Sequence, residues 1–140
     1  MTQDHIQIPR KIVNNLLHLA QISPDLEICG LIGGKKGLPS SCHPVANTAE
    51  QPQQRFQLDA SQQILAMAKM RDMGEQLFAI YHSHPTAPAT PSITDLKLAP
   101  YPDMLYLIIS LNTKGVLEMR GFKIADNSAK EITLSLSENG

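Results

Sequence analysis

The chain has no tryptophan and only six other aromatic residues, three Phe and three Tyr, so its core must be built mainly from aliphatic side chains. It has two cysteines, Cys29 and Cys42, which form neither a Cys-x-x-Cys pair nor part of a larger set. That excludes a disulfide scaffold and a cysteine-ligated zinc ribbon, and the two read as reduced thiols. It also lacks a basic block. Twelve Lys plus Arg stand against thirteen Asp plus Glu, a formal net charge of −1, so nothing is present to neutralise a run of phosphates. Nucleic acid and anionic membrane are excluded as main partners. No apolar run is long enough to cross a bilayer, "LYLIIS" being the longest, and "MTQDHIQIPRK" lacks the apolar stretch of a signal peptide. These absences lead us to expect a cytoplasmic protein.

What is present suits one folded unit. A length of 140 residues with 42% hydrophobic and 18% charged residues is enough to bury a core without covalent staples, so we expect a single domain over residues 1–140. "PRKIVNNLLHLAQIS" opens on proline and repeats apolar residues at Ile12, Leu16, Leu19 and Ala20, the spacing of an amphipathic helix, with Pro24 closing it. "EICGLIGG" predicts a strand and "LPSSCHPVAN" its return. Asp59 predicts the cap of a second helix, with Gln62 completing a capping box, Ile64, Met67 and Ala68 facing the core, and Gly74 ending it. "LFAIYHSH", "MLYLIISL", "VLEMRGFKI" and "EITLSL" predict further strands. Helices and strands alternate early and strands gather late, which points to an α/β or α+β fold with a mixed β-sheet flanked by helices.

The stretch that carries chemistry is "YHSHPTAPATPSITDL", residues 81–96. Successive side chains of a strand point to opposite faces, so His82 and His84 share a face and two imidazoles can converge on one ion. Seven residues separate His84 from Ser92, and "PSITDL" reads as a helix start that sets Asp95 opposite the strand. Ser92 and Asp95 also form a capping box, which needs no metal; the two roles are compatible. Pro85, Pro88 and Pro91 restrict φ and lower the entropy of closing the loop between the ligands. Two imidazoles and one carboxylate leave one tetrahedral position of zinc for water, the arrangement of a catalytic site, and amide hydrolysis then needs a separate base.

Glu27 in "EICGLIGG", followed downstream by "HSHP", seven residues to Ser92, and Asp95, resembles the JAMM (MPN-plus) family of zinc metalloproteases at every motif position. The likeness runs from about Ile12 to Leu111. It implies a deaminase-like fold, one Zn2+ held by His82, His84 and Asp95, Glu27 as general acid/base, and Ser92 as oxyanion donor. The chain is similar to compact bacterial members that carry a stretch like "VANTAEQPQQRFQLD" ahead of the metal strand. That implies a peptidase or isopeptidase acting after the Gly-Gly tail of a ubiquitin-like sulfur-carrier protein, releasing cysteine or a short extension. Two other classes stay open: a two-histidine, one-carboxylate iron oxidase, and a non-catalytic MPN scaffold that binds partners through its sheet edge.

Other features are weaker. "CGLIGGKK" fails the phosphate-loop frame, which requires glycine at Cys29 and Ser or Thr at Lys36. Gly30, Gly33 and Gly34 either let backbone or substrate approach beside Glu27 or make a turn. Arg55 is a candidate contact for a substrate tail, and Phe56 either joins it or acts as a hydrophobic staple ahead of Asp59. His5, His18 and His43 have no partners at ligand spacing.

Overall fold

The run "LYLIIS" becomes a strand buried at all six positions, as expected of a strand covered on both faces. Around it a computed structural model describes residues 5–101, 104–112 and 117–137. In chain order the elements are β1 (His5–Pro9), α1 (Arg10–Gln21), β2 (Cys29–Lys35), β3 (Leu38–Val45), α2 (Ala60–Asp72), β4 (Gln76–His84), α3 (Ile93–Leu98), β5 (Leu105–Ser110), β6 (Glu118–Ala125) and β7 (Ser128–Ser137). The seven strands form one mixed sheet in the order β1-β7-β6-β5-β4-β2-β3. β4 pairs parallel with β5 and antiparallel with β2. Parallel neighbours need a crossover, and α3 lies in it.

One face of the sheet packs on α1 through Ile12, Val13, Leu16 and Ala20 against Ile32, Ala79, Tyr81, Leu107 and Ile109. The other face gathers Leu31, Ile80, Tyr106 and Ile108 beneath Met70 of α2 and Leu96 of α3. Full burial of each Val, Leu, Ile or Met among these is worth about 1.5–3 kcal/mol, so mainly aliphatic packing on both faces holds the sheet.

The sequence reading and the structure differ in places that have physical causes. β1 was not expected; its buried Ile6 and Ile8 alternate with exposed His5 and Gln7, a pattern too short to stand out, and its strand character comes from parallel pairing with β7. Pro9 occupies the cap position of α1, and the helix ends at Gln21, three residues before Pro24. Asp59 caps α2 by accepting the Gln62 N–H at 2.9 Å, but the Gln62 side chain accepts from Ala46 N–H and does not reach back, so the box is only half made. Ile64 is 68% exposed and faces solvent; Met70 is the buried residue of this helix. Gly74, at φ +74°, ends the segment as expected. Gly30 makes no turn: it sits inside β2, where a side chain would overlap the Tyr81 ring. The reversal after β2 falls on Lys36 and Gly37, both at positive φ. Val116, expected at the head of a strand, lies outside the described residues.

At the end of the sheet opposite His84, the carboxylate of Glu75 is buried and accepts from Ser40 and, at 2.7 Å, from Ser41, with His43 Nε2 3.6 Å away. Burial pushes this carboxyl up, but the hydrogen bonds from Ser40 and Ser41, with His43 close by, outweigh it and leave it below the ordinary glutamate value. A carboxyl depressed on folding adds stability above the unfolded value of about 4.3 and gives it up as pH falls through the folded value. Glu75→Gln is therefore expected to cost about 1.5–3 kcal/mol at pH 7, with the gap from the unmutated chain narrowing below about pH 4.3. Urea unfolding of both proteins from pH 7 to 3 checks this, and a gap that is constant with pH contradicts it.

Candidate metal centre

β4 ends in Tyr81-His82-Ser83-His84, all buried. Alternation sends Tyr81 and Ser83 toward α1 and both histidines to the opposite face, where α3 lies. β2 runs antiparallel beside them with Cys29 opposite His82, so stepping back two residues brings Glu27 level with His84 on that same face. Ser83 fixes this register beyond the end of β2. Its N–H donates to Ile28 O at 3.0 Å, and its Oγ accepts the Ile28 N–H at 2.9 Å.

From the other side comes α3. A helix of six residues has little stability of its own and depends on its cap. Ser92 Oγ accepts the Asp95 N–H and Asp95 Oδ2 accepts the Ser92 N–H, each at 2.9 Å, so the expected capping box is complete. Its geometry leaves Asp95 Oδ2 3.1 Å from His82 Nε2 and 3.0 Å from His84 Nε2. The proline-rich loop between is pinned where it matters: His84 Nδ1–H donates to Pro88 O at 2.7 Å, and Ser110 Oγ donates to Ala87 O at 2.7 Å.

The residues fit a cation. Ligand atoms of Glu27, His82, His84 and Asp95 all lie within 4.8 Å of one another, and all four residues are buried. A carbonyl can only accept, so Pro88 fixes the proton of a neutral His84 on Nδ1 and leaves a lone pair on Nε2. That lone pair faces a carboxylate oxygen at 3.0 Å and the His82 Nε2 at 3.2 Å. Such a cluster needs either an added proton or a shared cation. Donors about 2.0–2.1 Å from a tetrahedral zinc stand roughly 3.3–3.4 Å apart, close to the spacing here. Among the described residues the buried Glu27 Oε1 has no hydrogen-bond partner, a second sign that the group suits a cation.

The electrostatics separate the two carboxylates. Burial pushes the Glu27 carboxyl up to about 7, with His84 pulling it down and Asp95 pushing it up further. Burial also opposes ionisation of Asp95, but the charge and hydrogen bond of His82 and the bonds from His84 and Ser92 hold it far below the carboxylate range. Burial lowers His82; His84 is raised, because its bonds to Asp95 and Pro88 overcome burial. One carboxyl is a permanent anion, and the other can exchange a proton near neutrality.

The loop from Ala46 to Leu58 covers the group. Phe56 stacks on His82, ring centroids 4.3 Å apart and planes at 22°. Beside it opens a cavity of about 650 Å³ lined by Arg55, Phe56, Gln57, Leu98 and Pro100. A second, of about 300 Å³, reaches Glu27 from the side of Leu19, Ile22 and Leu26. Thus Glu27, His82, His84 and Asp95 come together, Ser92 adjoins them, and Arg55 lines the adjacent cavity. Gly30 is not brought to the group; its bare face is taken by Tyr81 on the α1 side. The sequence reading missed Ser83 and Asn47, whose hydrogen bonds fix the Glu27 segment; a polar residue that bonds to backbone leaves no spacing signal.

A family model described as prokaryotic homologs of the JAB domain matches residues 9–122. The chain is 34% identical over 130 residues to a CysO-cysteine peptidase of Mycobacterium tuberculosis, covering 91% of this chain and 88% of that one. It is 33% identical over 89 residues to a desampylase of Haloferax volcanii, covering 62% and 64%. The solution structure of a Desulfitobacterium hafniense protein superposes with a TM-score of 0.86 at 31% identity, covering 96% of this chain and 94% of that one.

A ligand that binds only the folded protein stabilises it by about 2.7 kcal/mol at a hundred times its Kd. Zinc added to chelator-treated protein is therefore expected to raise Tm by roughly 5–10 °C, and His84→Ala or Asp95→Ala should abolish the rise. Calorimetry with and without zinc checks it; an equal rise in the Asp95→Ala protein places the metal elsewhere.

Proposed function

This chain belongs to the prokaryotic JAB-domain family, and we propose that it is a one-domain, cytoplasmic hydrolase that uses one zinc ion to cleave an amide bond after the Gly-Gly tail of a ubiquitin-like sulfur-carrier protein. The observation that carries this reading is the convergence of four buried donors, two imidazoles and two carboxylates of opposite titration behaviour, on one point. The relatives support the substrate class: one is named a CysO-cysteine peptidase and the other a desampylase. Among the described residues no helix is long and apolar enough to cross a membrane.

His82, His84 and Asp95 would hold the ion, oriented by Pro88 O and the Ser92 N–H. Bound there, zinc would polarise the scissile carbonyl and activate water at neutral pH. Glu27, beside His84 and titrating near neutrality, takes the proton released as the new C–O bond forms and delivers it to the amine as the C–N bond breaks. Ser92 Oγ already accepts the Asp95 N–H, so its own proton is available to the carbonyl oxygen as that oxygen gains charge. The carrier's tail, slim and extended, suits the cavity lined by Arg55 and Phe56. An iron oxidase would leave Glu27 and Ser92 without a task, and a binding scaffold would not need a buried, orphaned carboxylate.

Glu27→Gln is expected to bind zinc normally and to lose nearly all turnover. Mass spectrometry of zinc-loaded protein incubated with Gly-Gly-tailed carrier adducts measures this, and an active Glu27→Gln enzyme removes the acid/base assignment. Ser92→Ala is expected to lose roughly 100- to 1,000-fold in kcat while keeping its metal. Ser92→Gly, which weakens a helix cap by only a few tenths of a kcal/mol, should fall equally far. Full activity in both variants takes Ser92 out of the chemistry.

A further inference from the structure

Glu27 lies before the first residue of β2, outside the regular ladder, so its position depends on individual hydrogen bonds. Its N–H donates to Pro52 O at 2.8 Å, and its C=O accepts from Asn47 Nδ2 at 2.9 Å. Both partners belong to the loop that carries Arg55 and Phe56. Asn47 is the centre of that loop. Its Nδ2 also donates to Arg55 O at 3.0 Å, and its Oδ1 accepts from Ala49 N–H at 3.0 Å and from Gln57 N–H at 2.9 Å. The side chain thus makes all four bonds it can make. Two carbonyls can only accept and two amides can only donate, so the orientation of the amide is fixed by chemistry.

We infer that Asn47 is a positioning residue that couples the loop covering the metal centre to the backbone of Glu27, so that seating of a substrate tail against Arg55 and Phe56 sets the position of the acid/base. The inference rests on the role given to Glu27 above. One amide holds the backbone on both sides of Phe56, Arg55 O through Nδ2 and the Gln57 N–H through Oδ1, and the same Nδ2 holds the Glu27 carbonyl. A displacement of the loop is therefore passed to Glu27 within a single rigid side chain, and a fully satisfied polar junction has little slack in which to absorb it. Phe56 stacked on His82 makes the loop the element a substrate must meet, since the four donors below it are buried.

Asn47→Asp separates the two halves of the junction. An aspartate keeps the acceptor for Ala49 and Gln57 but turns a carboxylate oxygen, with nothing to donate, toward Glu27 O and Arg55 O. Thr48→Val is the control, because it removes the Thr48 Oγ1 bond to Gln57 O in the same loop without touching Glu27. Misplacement of a catalytic group by an ångström can cost about a hundredfold, so Asn47→Asp is expected to lower kcat roughly ten- to a hundredfold with KM within about twofold and zinc affinity unchanged. Thr48→Val should keep kcat. Hydrogen exchange on the metal-free proteins gives a reading independent of any substrate: in Asn47→Asp the Glu27 amide should exchange about tenfold faster or more, while the Ala49 and Gln57 amides stay protected. An unchanged Glu27 amide, or loss of protection at Ala49 and Gln57 together with Glu27, overturns the coupling. So does a Thr48→Val enzyme whose kcat falls as far as that of Asn47→Asp. An inactive unmutated enzyme with the expected exchange pattern would instead sink the proposed reaction and leave the coupling standing.

Discussion

When His84 is neutral, its Nε2 lone pair faces a carboxylate oxygen of Asp95 across 3.0 Å, and much of the structure serves to keep that unfavourable meeting in place. Left to themselves the two groups would part or share a proton. They stay because each is tied from behind, His84 by Pro88 O and Asp95 by the cap of its own helix. A short strand-to-helix crossover thereby gathers acceptor atoms in a buried place, an arrangement that suits a cation.

The sheet supplies the second half of the arrangement through register. Because Cys29 stands opposite His82, the strand beside the histidines brings Glu27 to the same face, and Ser83, pointing the other way, ties that approach down. Pairing therefore sets the face on which Glu27 stands, the hydrogen bonds to Pro52 O and Asn47 hold it there, and burial raises its proton affinity. Asp95, a few ångströms away, has the opposite fate because it sits between imidazoles and a helix amide. Two like side chains acquire different chemistry from their neighbours alone.

Much of this could be read from residue order. Strand alternation puts His82 and His84 on one face, and Ser92 and Asp95 at a helix start can be reached only one way round. The hydrophobic runs likewise located β2, β4 and β5. What escaped was set by partners far along the chain. β1 is strand because β7 lies beside it, Ile64 faces water because α2 packs through Met70, and Gly30 is glycine because Tyr81 occupies its place. Asn47 escaped for another reason: its partners are backbone groups, and any residue supplies those.

The capping box of α3 has a consequence for how this protein can change over generations. On the proposed mechanism the atoms that close the helix are also those that would face the cation and the reacting carbonyl, so Ser92 and Asp95 would answer to architecture and to chemistry at once. Drift at Asp95 would remove a proposed ligand and half of the capping box together. A descendant that abandoned catalysis by that route would have to invent another way of starting a six-residue helix, whereas loss through Glu27 leaves the fold intact and is the easier path to a silent relative.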